Sequence, residues 1–322
     1  MVDSMSDPMP EPEPPQRLSS RRRWWLFGTI GVLVVVGLVS LATLRSRGRE
    51  GSLIFELREQ SEQQNRETGG LYSLPMDGSE PVRTKDVAVG DPAYTRDGSK
   101  VALIVGNSIQ VASPSGAPLQ LFHVLPPDDP GSIVDPGWLP DDQAVAYLTD
   151  TPGGLRAIGV VDLQTGATEL VPGSDGNWGG LDVAADGRFA LTSASESDGG
   201  LWVLGPDGGE PTKLVDGVIE SPAWSPDGGS IVYGIGHQAD IEMVDVSTGR
   251  RSGVTSGPAW DAFPVWSPDG EWVAFASDRE TPAGSTFPFG STLFVVHPDG
   301  SELHSVRPST ATSAAFPDAW LS

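Results

Sequence analysis

From Ser52 onward, apolar and polar residues alternate in short runs separated by Gly, Pro, Asp and Ser, and no stretch keeps a 3.6-residue apolar period. Alternation at period 2 puts every second side chain on one face of a strand, so the pattern predicts an all-β chain. One phrase recurs, clearest at Pro222–Tyr233 (PAWSPDGGSIVY) and Pro264–Phe275 (PVWSPDGEWVAF). Looser copies begin at Pro92, Pro136 and Leu181, and a truncated one closes the chain at Ala314–Trp320. Each copy predicts a short strand carrying a buried aromatic, a tight turn, and a second, alternating strand. Between the phrases, apolar alternation runs into turns ending in glycine at Leu71–Gly78, Ile109–Gly116, Ile158–Gly166, Leu201–Gly208, Ile241–Gly249 and Leu293–Gly300.

Six phrases and six hairpins make six four-stranded units. Units of about 40 to 50 residues stacked radially are the blades of a β-propeller. With strands lettered A to D from the axis outward, the aromatic phrase is A, the Pro-Asp-Gly turn leads to B, and the glycine hairpin joins C to D. The chain enters at Ser52–Leu57 as strand B, and Ala314–Phe316 is expected to supply the missing A, so that the two ends close one blade. Trp224, Trp266, Trp138 and Tyr94 are expected to pack between blades, where flat sheets need large apolar area. Asp97, Asp141, Asp186, Asp227 and Asp269 are expected to accept turn hydrogen bonds rather than to do chemistry.

Residues 1–20 are Pro-rich and acidic with no apolar period, which predicts a disordered tail. Arg21–Arg23 then precede Trp24–Leu44, a run without one charge. As a helix this run spans about 31 Å, enough for a bilayer core of about 30 Å. The expected organisation is a tail (1–20), a single transmembrane signal anchor (21–47), a linker (48–51) and a propeller (52–322). Residues 1–50 carry net +2, so the remainder carries −25 of the overall −23. A body that acidic repels nucleic acid and anionic head groups. With no cysteine, disulfides, thiolate metal sites and Cys nucleophiles are excluded.

The SPDG phrase after Pro-x-Trp, Ser277-Asp278-Arg279 after strand B and the later LFVVHPDGSE together resemble the TolB-like propeller repeat. The resemblance covers residues 52–322 and is closest over Pro222–Gly300. It implies a six-bladed propeller outside the cytoplasm, with the membrane span standing where that family has a separate N-terminal domain. A propeller repeat marks a fold and not an activity.

In a propeller the B–C loops and D–A connections share one face. Here these are the long, varied segments, and loops of that kind on a rigid frame are where binding concentrates. They carry Trp178, Trp260, Phe263, Phe287 and Phe289, large apolar groups expected to meet a partner. Asp91, Asp135, Glu220 and Asp261 lie close to the starts of strand A in different blades. If they converge at the channel mouth, they could hold Ca²⁺ or attract a cationic peptide terminus.

The four histidines show no paired ligand spacing, and there is no G-x-S-x-G elbow. The expectation is therefore a non-catalytic, monomeric propeller without cofactor, anchored through residues 24–44 with its N-terminus cytoplasmic. Its loop face would point away from the membrane toward a protein or peptide. The other class left open is a propeller binding a carbohydrate or small polar ligand in its channel, or a modified hydrolase or lyase.

Overall fold

The computed structural model describes residues 51–321 except 62–65, 77–78, 80, 86–91, 115–116, 127–130, 194–197, 237–239, 281–291 and 308–312. The expected tail, the expected anchor and residues 48–50 of the linker lie outside the described residues. Among the described residues no helix is long and apolar enough to cross a membrane.

The strands form six four-stranded antiparallel sheets. Blade 1 contains β1 (Ser52–Ser61), β2 (Arg66–Pro75) and β3 (Val82–Lys85). Blade 2 contains β4 (Ala93–Tyr94), β5 (Val101–Val105), β6 (Ser108–Ala112) and β7 (Pro118–His123). Blade 3 contains β8 (Ile133–Trp138), β9 (Ala144–Asp150), β10 (Arg156–Asp162) and β11 (Thr168–Leu170). Blade 4 contains β12 (Gly180–Val183), β13 (Phe189–Ser193), β14 (Gly200–Leu204) and β15 (Thr212–Asp216). Blade 5 contains β16 (Ile219–Trp224), β17 (Ser230–Ile235), β18 (Asp240–Asp245) and β19 (Arg251–Gly253). Blade 6 contains β20 (Asp261–Trp266), β21 (Val273–Ser277), β22 (Thr292–Val296) and β23 (His304–Arg307). The last strand, β24 (Ser313–Leu321), returns to blade 1 and pairs with β1.

The innermost strands β4, β8, β12, β16, β20 and β24 each touch the next in turn, and β24 touches β4. That closed circuit is a six-bladed propeller, sealed by the chain's two ends as expected. The sealing register differs in detail from the sequence reading. Trp320 stands opposite Leu53, as Trp224 stands opposite Ile231 and Trp266 opposite Val273. The closing copy of Pro-x-Trp is therefore Asp318-Ala319-Trp320, while Ala314–Phe316, expected as strand A, pairs with Glu56–Arg58 further along the same strand. In that register Trp320 is buried in the core cluster that joins blade 1 to blade 6.

The repeated turn explains its own composition. In blade 5 the Ser225 hydroxyl donates to Asp227 at 2.6 Å, and Asp227 in turn accepts the Gly229 backbone N–H at 2.9 Å. Gly228 sits at φ +69, the left-handed region where a side chain is costly. The same Ser/Thr-to-Asp bond recurs at Thr95–Asp97 and Ser267–Asp269. The aspartates of the phrase are thus turn residues.

Between blades, the indole N–H of Trp138 donates to the Ala93 carbonyl at 2.9 Å, and that of Trp266 donates to the Ala223 carbonyl at 3.1 Å. A buried Trp needs a partner for its N–H, and here the preceding blade's strand A supplies it. Blade 2 has Tyr94 in the Trp position, the Trp224 N–H finds no acceptor, and blade 4 departs furthest, with Val183 there. Its seam with blade 3 is filled by a cluster that includes Val183, Leu181 and Trp178.

Candidate functional site

Three strands at the axis break register where a residue precedes proline. The slips fall between Val134 and Gly137, Glu220 and Ala223, and Ala262 and Val265. At each, a non-glycine residue takes positive φ: Asp135 at +49, Ser221 at +49 and Phe263 at +55. These bulges re-aim the side chains where strand A enters from the loop face. For a bulky aromatic the conformation is a genuine outlier, costing on the order of 1–3 kcal/mol, and such strain concentrates at functional sites.

Phe263 is also 39% exposed. Its ring makes edge contacts with Trp260 at 5.8 Å and with Phe316 of the next blade at 5.5 Å. The base of this cluster is firmly built. Asp278 accepts the Trp260 N–H at 2.8 Å, and Trp260 O accepts the Asp278 N–H at 3.2 Å, which joins the D–A connection to the B–C loop of blade 6. Asp261, next in sequence, is fully buried. It accepts from Ser277 Oγ at 2.6 Å and from Arg279 Nη2. Arg279 also donates to the Ser256 carbonyl at 3.1 Å. The Ser-Asp-Arg run after strand B therefore fastens two loops together, each residue through a different bond.

Of the residues expected on the loop face, Trp260 and Phe263 come together there, joined by Phe316. Trp178 does not. It is buried, with its indole N–H donating to the Ser174 carbonyl at 2.6 Å and its ring edge-on to Trp202 at 6.0 Å. It packs in the cluster formed by Leu181, Phe189, Val183 and Trp202 at the seam of blades 3 and 4. Phe287 and Phe289 lie outside the described residues.

The acidic group does not assemble as expected. Asp91 lies outside the described residues, Asp135 and Glu220 are half-buried on β8 and β16, and Asp261 is consumed by its own ion pair. Among the described residues no group of three or more His, Asp or Glu could hold a metal ion. Sequence reasoning missed a different carboxylate. Asp182 occupies the x position of Pro-x-Trp, where other blades have Ala93, Gly137, Ala223, Val265 and Ala319. Its Oδ2 accepts the Trp224 backbone N–H at 2.6 Å, across to blade 5. Desolvation pushes its pKa up to about 6, against the opposing pull of that N–H, the Val183 N–H and Arg96. The only sequence signal was an acid at a position otherwise small and apolar.

The fold and this ring of strands define the class: a six-bladed β-propeller with TolB-like structural neighbours. TolB from Acinetobacter baumannii superposes with a TM-score of 0.61 at 20% identity, over 84% of this chain and 66% of that one. Dipeptidyl-peptidase 5 of Porphyromonas gingivalis is 27% identical over 237 residues, 66% of this chain and 34% of the peptidase. The Tol-Pal system protein TolB of Coxiella burnetii is 44% identical over 62 residues, 18% of this chain and 14% of that protein. The chain is thus distantly homologous to TolB and to such peptidases, and it spans no more than about a third of the length of these relatives. No family model matches the chain.

Proposed function

We propose that the chain is a membrane-anchored, non-catalytic propeller that presents its loop face to an extracytoplasmic protein or peptide. The observation that carries this reading is Phe263, a strained, exposed aromatic braced by Trp260 and Phe316. A ring held at that cost, on a scaffold fixed by the Asp261–Arg279 pair, is a preorganised contact for an apolar group. Residues 24–44 supply the anchor, with the N-terminus cytoplasmic, and the acidic body favours a neutral or basic partner over nucleic acid.

The test is site-specific photo-crosslinking of the full-length chain in its native cells. A benzophenone amino acid at Phe263 should capture one discrete partner, and a probe at the turn residue Ser99 should not. Ser221 holds the position equivalent to Phe263 in blade 5, so Phe263→Ser should fold with near-native melting. In that background a probe at Phe316 should lose the adduct. Equal capture from both faces, or an adduct indifferent to Phe263→Ser, would count against the reading.

A further inference from the structure

Asp135, Ser221 and Phe263 hold the same place in three blades. Each precedes the proline of its innermost strand, each falls where the pairing slips, and each takes positive φ, at +49, +49 and +55. One backbone conformation sends the three side chains off their strands in the same sense. Phe263 shows where that leads: its ring meets Phe316, on the innermost strand of the next blade, and stays 39% exposed. Asp135 and Ser221 therefore stand at equivalent points round the loop-face mouth of the channel. The six blades follow one another in order round the axis, so blades 3 and 6 are opposite. Asp135 faces Phe263 across the mouth. In blade 4 the place falls to Gly180, which adds no side chain.

The mouth is thus two-sided. One arc is aromatic: Phe263 stands between Trp260 and Phe316, whose planes lie 73° and 87° from its own. The other arc is acidic, with Asp135 opposite and Glu220, next to Ser221 in blade 5, also half-buried. Two arginines of this face are already committed. Arg279 is held by Asp261 and the Ser256 carbonyl, and Arg156 by Asp150 and the Trp178 carbonyl. The face of an aromatic ring is the negative end of its quadrupole, so rings and carboxylates attract the same kind of group, a cation. A purely apolar ligand would desolvate Asp135 and Glu220 without compensation. An anion would meet both carboxylates and a body carrying −25.

We infer that the channel mouth receives an arginine side chain of the partner, its guanidinium stacked on Phe263 with the free edge turned toward Asp135 and Glu220. This rests on the reading that the loop face binds a protein or peptide, and it specifies what that partner presents. Arginine suits the place better than lysine. Its guanidinium is planar and weakly hydrated, stacks on rings, and offers N–H donors to acceptors on more than one side. Its stem, laid along Phe263 and Phe316, is the apolar group that the strained ring meets.

The test places a benzophenone amino acid at Ser221, where blade 6 already holds an aromatic, and follows the adduct formed by the full-length chain in membranes of its native cells. Phe263→Leu keeps an apolar side chain and removes the ring; Asp135→Asn keeps the shape and removes the charge. Each should cut the adduct several-fold, whereas Phe263→Tyr should keep it. Agmatine, an arginine side chain without the backbone carboxylate, should compete with the wild-type adduct. Its neutral analogue butylurea, and sodium chloride at equal ionic strength, should compete less. The competition arm needs no variant to fold. An adduct as strong in both Phe263→Leu and Asp135→Asn as in wild type, or one reduced equally by agmatine and sodium chloride, would overturn the arginine assignment and leave the loop-face reading standing. No discrete adduct from Ser221 or Phe263 would sink both.

Discussion

The guanidinium of Arg188 lies 4.6 Å from the centre of the Trp224 ring and donates from Nη2 to the Gly228 carbonyl at 2.7 Å. Arg188 belongs to the turn of blade 4, Trp224 and Gly228 to blade 5. One side chain thus holds a seam whose tryptophan, unlike Trp138 and Trp266, has no acceptor for its indole N–H. A cation over a ring contributes about 0.5–2 kcal/mol, and a charged hydrogen bond about 1.5–3 kcal/mol. Arg188 is partly exposed and also paired to Asp186, so the lower end applies. Arg188→Ala should lower unfolding free energy by roughly 1–2 kcal/mol in denaturant titration. Arg188→Lys, which keeps the charge but not the planar fork, should recover only part of the loss. No difference between the two variants would show that the stacked geometry is irrelevant.

The turn of blade 3 departs from its siblings. Where the others place Gly98, Gly187, Gly228 and Gly270 at positive φ, this one places Asp142 at +55. Burial also raises the Asp142 pKa, and the carboxylate of Asp97 adds to the effect. Asp142→Gly should therefore stabilise the propeller by roughly 0.5–1 kcal/mol, strain relief outweighing the extra unfolded-state entropy of glycine. A higher melting temperature is the expected reading. A lower one would mean that Asp142 makes an interaction worth more than its strain.

Asp182 governs a pH dependence of definite sign. Its folded pKa of about 6 exceeds the ordinary 3.8 because the charged form is desolvated. The folded state then binds more protons than the unfolded state between these values. Stability from this group rises as pH falls through 6 toward 4, and is reduced above 6. The turn carboxylates act in the opposite sense and in a lower window. Hydrogen bonds from Ser99 and Thr95 hold Asp97 at about 2, so its contribution is present above about 4 and lost on further acidification. Asp182→Asn should flatten the stability slope between pH 4 and 6 while leaving the loss below 4 unchanged. A slope identical to wild type would assign the dependence to other acids.

Much of this fold was readable because its determinants are local. Ser225-Pro-Asp-Gly closes on itself through bonds within five residues, so the turn is written where it occurs. The indoles of Trp138, Trp224 and Trp266 could be placed between blades because a seam between flat sheets favours large apolar side chains. The site was less legible. Trp178 and Trp260 read alike as aromatics in long connections. One is buried because its N–H finds the Ser174 carbonyl and its ring the Leu181–Phe189 cluster, and the other is half-exposed with its backbone fixed by Asp278. Asp261 read as a free acid because Arg279, its partner, comes from the far side of a hairpin. Phe316 read as part of the closing strand, and only the register of β24, with Trp320 opposite Leu53, places it beside Phe263.

The sequence by itself determined the repeat, the number of blades, the closure by the two termini and the acidity of the body. Each follows from period, turn chemistry or charge count, which need no knowledge of distant neighbours. Only the tertiary structure decided which aromatics and carboxylates are available, since availability depends on what the next blade presents across the seam. It also set Asp135 across the channel mouth from Phe263, because the direction of a side chain at a bulge is known only from the register of its strand.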